Sequence, residues 1–296
     1  MKVAVSGASG LIGSALVPAL EAAGHEVVRL VRREPEATSE VEWDPDAGTI
    51  DTSGLAGVDA IVNLSGENIG ARWTATRKAE ILRSRVATAG LLARTAAELD
   101  PRPAVFVSAG GAGIYGDRGD EILTEESALG HGFLSEVGKA WEAAAEPARA
   151  AGVRVVNFRQ GIVLSREGGA LERLLTPFKL GVGGRVGSGR QWWAWVALDD
   201  VTAAYRFVLE NDLAGPVNLA SPNPATNVQF VRALGDALGR PTVFPLPAFV
   251  VRTVFGEMGE DMLLEGQRVL PARLLDAGFR FTRPDVGIAL ERAVRG

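Results

Sequence analysis

The chain of 296 residues contains no cysteine and only two histidines, His25 and His131. The first absence removes disulfides, thiolate nucleophiles and thiolate metal sites, and the second leaves a histidine-based metal centre without ligands. No metal site is expected. Long hydrophobic runs are missing too: the longest apolar stretch, VFPLPAFVV at 243–251, is too short to span a bilayer and carries two prolines, so it reads as core or groove lining. Charge of one sign does not accumulate. With a net charge of −5 and scattered basic residues, neither nucleic acid nor an anionic membrane surface is an expected partner. The strand pattern starts at Lys2 with no basic and apolar leader before it, so the expected compartment is the cytoplasm. Repeats and low-complexity linkers are absent. What is present is 47% hydrophobic residues, enough to bury a full core in one large α/β domain or a principal domain with an appendage.

Period supplies the fold class. The runs VAVS, VVRLV, AIVNL, AVFVS and VRVVNF are short, Val-rich and nearly continuous in apolarity, as parallel strands covered on both faces must be. Between them lie helix-like stretches, LIGSALVPALEAAG, TATRKAEILRSRVATAGLLARTAAEL and FLSEVGKAWEAAAEPARAAG, the first and last stopping at Gly24 and Gly152. This alternation predicts an α/β fold, a Rossmann-type doubly wound parallel sheet. Residues 1–160 are expected to form its dinucleotide-binding domain, with about 195–221 returning to it, and 161–296 a smaller substrate-binding lobe.

The opening GASGLIG gives the sheet a ligand. It follows a strand and opens a helix: Gly7 permits the tight turn, Gly10 lets backbone N–H groups approach a pyrophosphate, and Gly13 allows close helix packing. Ser9, Leu11 and Ile12 complete this cradle. An acidic side chain at the tip of the second strand would accept from an adenosine ribose, but Arg32 and Arg33 stand there. A guanidinium clasps a 2′-phosphate through parallel charge-assisted bonds, which favours NADP; Glu34 follows directly and keeps NAD as the lesser option. Leu64, Ser65, Gly66 and Glu67, after the strand ending at Asn63, are expected on the ribose side, and Asp44 either meets the adenine edge or forms an Asp-Pro turn.

The segments GASGLIG, NLSGENIGARW, SRVATAGLL, YGDRGDE, RQGIVLSREGGAL, LGVGGRVGSGRQWWAWV and GQRVLPARLLDAGFRF together resemble the short-chain dehydrogenase/reductase superfamily, in its atypical extended branch of epimerase family, nucleoside-diphosphate-sugar epimerase-like proteins. The resemblance runs from Met1 to about Leu290. It implies an NADP-binding Rossmann domain, a small C-terminal lobe and an undefined substrate.

The same resemblance exposes a gap. Active extended enzymes carry a Tyr-x-x-x-Lys pair and an upstream serine. Aligning KAWE through Glu142 puts Leu134 in the tyrosine place and Gly138 in the lysine place, while the serine place falls at Gly110, two residues after Ser108. Lys139 lies about 100° around the helix from the required position. Three residues are candidates to compensate as catalytic groups: Tyr115, an acid or hydrogen-bond donor unless its ring merely packs a loop; Arg85, in the place of an asparagine in most relatives, able to bind an anion unless it pairs with Glu80; and Ser108. By resemblance Arg190 and Gln191 approach a substrate diphosphate, and Trp192 is a stacking candidate, although the cluster it forms with Trp193 and Trp195 also fits a core. Ala197 stands where many relatives carry a histidine, and capping explains Asp199 and Asp200. The partner expected is a small-molecule substrate, anionic or nucleotide-linked. An NADP-dependent oxidoreductase or epimerase is favoured over an NADP-holding redox sensor with little turnover.

Overall fold

The computed structural model describes residues 1–295. Strand β1 (Lys2–Ser6) leads through the glycine turn into α1 (Leu11–Ala22), and β2 (Glu26–Val31), β3 (Glu40–Asp44) and the short β4 (Thr49–Ile50) follow. Next come β5 (Ala60–Asn63), the 24-residue α2 (Ala75–Glu98), β6 (Val105–Ser108), β7 (Ile122–Leu123), α3 (Phe133–Ala143), α4 (Glu146–Ala150) and β8 (Arg154–Gln160). The expected single helix after Gly132 is thus two: Pro147 donates no N–H, so it sits in the first turn of a new helix rather than inside the old one.

The remainder is β9 (Ile162–Leu164), α5 (Gly169–Lys179), β10 (Trp192–Trp193), β11 (Trp195–Ala197), α6 (Leu198–Glu210), β12 (Gly215–Leu219), β13 (Ala225–Thr226) and α7 (Asn227–Leu238). It closes with α8 (Ala248–Phe255), α9 (Glu257–Gly259), β14 (Arg268–Val269), α10 (Ala272–Asp276) and α11 (Val286–Arg295). Eight strands form the main sheet in the order β12-β8-β6-β5-β1-β2-β3-β4, all parallel except the β3–β4 pair. The order reverses at β1, whose neighbours are β2 and β5. There the crossovers diverge and leave a crevice at the carboxyl ends of the strands.

Alternation along the strands feeds two cores. Val3 and Val5 of β1 join Leu16 and Leu20 of α1 and Val201 and Tyr205 of α6 on one face, while Ala4 joins Leu92 and Ala96 of α2 and Val153 on the other. In α2 the buried positions Ile81, Arg85, Thr88, Leu92 and Ala96 recur at helical spacing, and Thr74 caps the helix by accepting from the Arg77 N–H at 3.1 Å. Truncating a fully buried side chain such as Leu16 to alanine costs about 2–5 kcal/mol.

A third core holds the small lobe together. Leu171, Phe178, Trp193, Trp195 and Phe230 pack with Leu290 of α11. Trp193 and Trp195 are therefore core, and only Trp192 keeps partial exposure. The 243–251 run departs from expectation: Val243, Phe244 and Phe249 are 69%, 56% and 70% exposed, and only Val251 is fully buried. Asp200 lies inside the first turn of α6, and no side chain caps that helix, so capping does not account for it. It is buried and accepts from the Thr282 N–H and hydroxyl and the Arg283 N–H at 2.7–3.0 Å, clasping the C-terminal segment to α6.

Candidate functional site: a dinucleotide crevice with its catalytic places closed

At the β1–α1 turn the backbone explains the glycines. Gly7 has φ +69°, and a Cβ there would meet the Leu64 backbone at 3.0 Å. A Cβ on Gly13 would stand 2.2 Å from the Gly7 carbonyl oxygen and 2.6 Å from the Ala8 Cα, so the helix packs on the turn itself. Gly10 is the N-cap of α1 and offers no side chain to it, and the N–H groups of the first turn face an exposed loop, Ser9 and Gly10, with Leu11 and Ile12 half-buried behind. Orphan N–H groups and the positive end of the helix dipole make such a turn fit for a pyrophosphate.

The arginines at the tip of β2 are not equivalent. Arg33 is held in a two-pronged pair by Glu40 at 2.8 and 2.9 Å and also donates to the Glu34 carbonyl. Arg32 is exposed and makes no side-chain hydrogen bond or ion pair among the described residues; the Glu67 carboxyl is held by Arg77 at 2.7 Å, and that bond outweighs burial and keeps its pKa low. Asp44 accepts from the Asp46 and Ala47 N–H groups at 2.9 and 3.0 Å, which is the turn-forming alternative for this residue.

The loop after β5 forms the other wall. Asn63 Oδ1 accepts from Ser65 N–H at 3.2 Å, and the Ser84 hydroxyl accepts from Glu67 N–H at 3.1 Å. Gly66 is exposed and lies directly on Arg85: a Cβ would stand 3.3 Å from the guanidinium carbon. Arg85 is 9% exposed, donates to the Ile81 carbonyl at 3.1 Å and stacks over the Trp141 ring at 4.9 Å. Glu80 does not pair with it; that carboxylate goes to Arg77. Burial pulls the guanidinium down to about 10, with Glu67 opposing the shift. Trp141 escaped the sequence reading although it lies inside KAWE, because no motif links it to Arg85 on another helix.

The other two catalytic candidates are corrected. Tyr115 is fully buried, donates to Asn218 Oδ1 at 2.7 Å and accepts from Arg159 at 2.9 Å, while Arg159 is paired to Glu142 at 2.7 and 3.0 Å. Burial pushes its phenol up. A sealed phenol with both hydrogen-bonding directions taken cannot meet a substrate. Ser108 is 1% exposed, donates to the Ala109 carbonyl and belongs to a buried polar row, Ser6–Asn63–Ser108, across the strand ends.

The places of the missing groups are closed rather than vacant. At Gly110 a Cβ would stand 2.3 Å from the Phe158 carbonyl oxygen, and at Gly138 it would stand 2.8 Å from Ile114 Cβ and Cγ1. Leu134 packs against Gly113. Lys139 donates to the Gly130 carbonyl at 2.7 Å and does not turn back to Leu134. Neither a serine nor a lysine fits at Gly110 or Gly138 without moving backbone.

In the small lobe, Gln191 spends its amide on the Val186 and Leu263 carbonyls at 3.0 and 2.8 Å, so it fixes the glycine-rich loop. Arg190 is exposed, and Trp192 donates to Asp120 at 2.8 Å with Arg268 over its ring. A cavity of about 560 Å³ lies between Asp117, Arg118, Gly130, His131 and Glu265. Among the described residues no cluster of His, Cys, Asp and Glu is arranged to hold a metal, and no helix is long and apolar enough to cross a membrane.

Comparison with known proteins supplies the family and the fold. The model of the NAD dependent epimerase/dehydratase family matches residues 3–220, and a domain of unknown function, DUF1731, matches 246–293. The epimerase family protein Mb2239 of Mycobacterium bovis is 44% identical over 97% of this chain and 96% of its own. The crystal structure of human epimerase family protein SDR39U1 with NADPH superposes with a TM-score of 0.92 at 38% identity, covering 100% of both chains. A nucleoside-diphosphate sugar epimerase from Corynebacterium glutamicum superposes with a TM-score of 0.83 at 36% identity over 99% of this chain and 58% of that one. This chain is therefore a member of the NAD dependent epimerase/dehydratase family, in the atypical branch of the short-chain dehydrogenases.

Proposed function

We propose that this chain binds NADP(H) in the crevice and acts as an oxidoreductase that transfers hydride without the serine, tyrosine and lysine of its active relatives. The N–H groups of the first turn of α1, behind Gly7, Gly10 and Gly13, hold the pyrophosphate, and Arg32 takes the 2′-phosphate. Arg33 braces that strand tip through Glu40, and Ser65, Gly66 and Glu67 line the ribose side. NADPH bound in the human relative supports the choice of cofactor. When bound, the cofactor supplies a hydride at its nicotinamide ring.

What the chain's own residues add is charge rather than a proton. Arg85 is a buried cation of the crevice wall, lying over the Trp141 ring at 4.9 Å with Gly66 against its guanidinium. A guanidinium there stabilises negative charge developing on a substrate oxygen, and burial strengthens that interaction. The observation that carries this reading is the closure at Gly110 and Gly138, since relatives' proton-transfer groups have no room in it. Chain stripped of nucleotide should bind NADPH at one site, and Arg85→Gln should leave that affinity within about threefold while lowering NADPH oxidation at least tenfold. An intact rate in Arg85→Gln removes the role given to Arg85. Tight binding with no oxidation across aldehydes, ketones, quinones and sugar nucleotides makes the chain an NADP-holding sensor instead.

A further inference from the structure

Thirteen large apolar side chains stay exposed among the described residues, and six of them, Leu180, Val182, Val243, Phe244, Phe249 and Val254, fall in two segments of the small lobe at 51–74% exposure. Both exposed phenylalanines are in this set. The segments are far apart in sequence and adjacent in the fold. The Phe244 N–H donates to the Gly183 carbonyl at 3.4 Å, the Leu246 N–H to the Arg185 carbonyl at 2.8 Å and the Gly187 N–H to the Leu246 carbonyl at 2.8 Å. Their inward places are already filled, since Phe178, Val186 and Val251 are buried in the third core with Leu246 packed against it. Pro241, Pro245 and Pro247 have no N–H to donate, so the strap carrying Val243 and Phe244 cannot wind into a helix and tuck them under.

The charge around this surface is of one sign. No acidic residue stands between Glu172 and Asp199 or between Asp236 and Glu257, although the whole chain has a net charge of −5. Lys179, Arg185 and Arg240 are exposed there and form no ion pair among the described residues, whereas Arg252 is paired to Glu260. Basic residues scattered along the sequence are thus gathered by the pairing of the two segments: Lys179 adjoins Leu180, Arg185 is itself paired, and Arg240 stands three residues before Val243. The net charge that argues against a membrane partner does not describe this surface.

We propose that this end of the small lobe docks on an anionic lipid bilayer, with Phe244 and Phe249 entering the boundary between headgroups and acyl chains and Lys179, Arg185 and Arg240 meeting lipid phosphates. The proposal stands apart from the cofactor and hydride readings. A bilayer offers apolar depth and negative charge together and demands no complementary shape, which suits side chains that project from a strap. The missing acids fit the same occupant, because a negative surface repels carboxylates and attracts clustered cations. A second copy of the chain fits less well: a two-fold pairing would set this surface against itself and oppose cations to cations.

The test is co-sedimentation of the full chain with vesicles of phosphatidylcholine alone and of three parts phosphatidylcholine to one of phosphatidylglycerol, beside sedimentation velocity without lipid. The chain should partition onto the phosphatidylglycerol vesicles at least tenfold more than onto phosphatidylcholine alone, and raised salt should release it. Phe244→Ser with Phe249→Ser should lower that partitioning at least tenfold, and Lys179→Ala, Arg185→Ala and Arg240→Ala about fivefold each. Leu82→Ser with Val86→Ser, on side chains exposed along α2, should change nothing. Every one of these side chains is exposed, so melting temperatures should not move; if the phenylalanine pair does melt early, the single alanine variants read the same surface. No vesicle binding, equal binding to both compositions, or undiminished binding by the serine and alanine variants at this surface overturns the proposal. A dimer that Phe244→Ser with Phe249→Ser dissolves also overturns it and assigns the surface to a second copy.

Discussion

Glycine plays opposite parts at the two ends of the crevice. At Gly7, Gly10 and Gly13 the missing side chains keep a turn tight and leave amide groups facing outward, so the space gained belongs to a ligand. At Gly110 and Gly138 the missing side chains let Phe158 and Ile114 move in, so the space is consumed by the protein. One end leaves room for a ligand, and the other is filled in at the places that the resemblance to active extended enzymes assigns to proton-transfer groups. The lesson is that a glycine in a motif has to be read by what occupies the place of its Cβ.

Substitutions at the two ends break the contrast in different ways. The largest effect is expected at Gly13→Val, whose Cβ would overlap the Gly7 carbonyl: NADPH affinity by calorimetry should fall at least a hundredfold, with a lower melting temperature. Next comes restoration of the absent pair, Leu134→Tyr with Gly138→Lys. Collision with Ile114 should cost about 2–4 kcal/mol in urea unfolding, with no gain in activity. Activity appearing in that variant would mean that the filled end still opens.

Smaller effects sharpen the comparison. Arg32→Ala should weaken NADPH binding about ten- to a hundredfold and NADH binding by less than threefold, and Arg33→Ala should do less because Glu40 already engages it. Tyr115→Phe should cost about 1–3 kcal/mol by leaving Asn218 and Arg159 short of a buried partner, with NADPH affinity unchanged. The smallest is a pH effect at Asp261. Burial, helped by Glu257, pushes the Asp261 carboxyl up to about 6, so the folded chain holds that proton more tightly than the unfolded one. Its stabilising contribution is complete below about pH 4 and is lost as pH rises through about 6. Asp261→Asn should flatten that part of the stability profile.

Much of the binding end was legible in the sequence because it is local. Strand, glycine turn and helix are contiguous, and Val-rich runs carry their own period, so the parallel sheet and its crevice follow from short windows. Partners brought from far along the chain were not legible. Tyr115 is sealed by Asn218 and Arg159, Arg85 finds its ring at Trp141, and Gly138 meets Ile114 across a loop. Arg33 was lost to Glu40 because a neighbouring strand carries the carboxylate. Apolar content misled at Val243, Phe244 and Phe249, where composition gives no sign that the segment lies on the surface of the small lobe.

Titration calorimetry of nucleotide-stripped chain with NADPH, run beside the Arg32→Ala variant, tests the central claim most directly. One site with micromolar or tighter affinity, weakened in the variant far more for NADPH than for NADH, is the predicted result. No heat with either nucleotide, or equal losses for both, would contradict it.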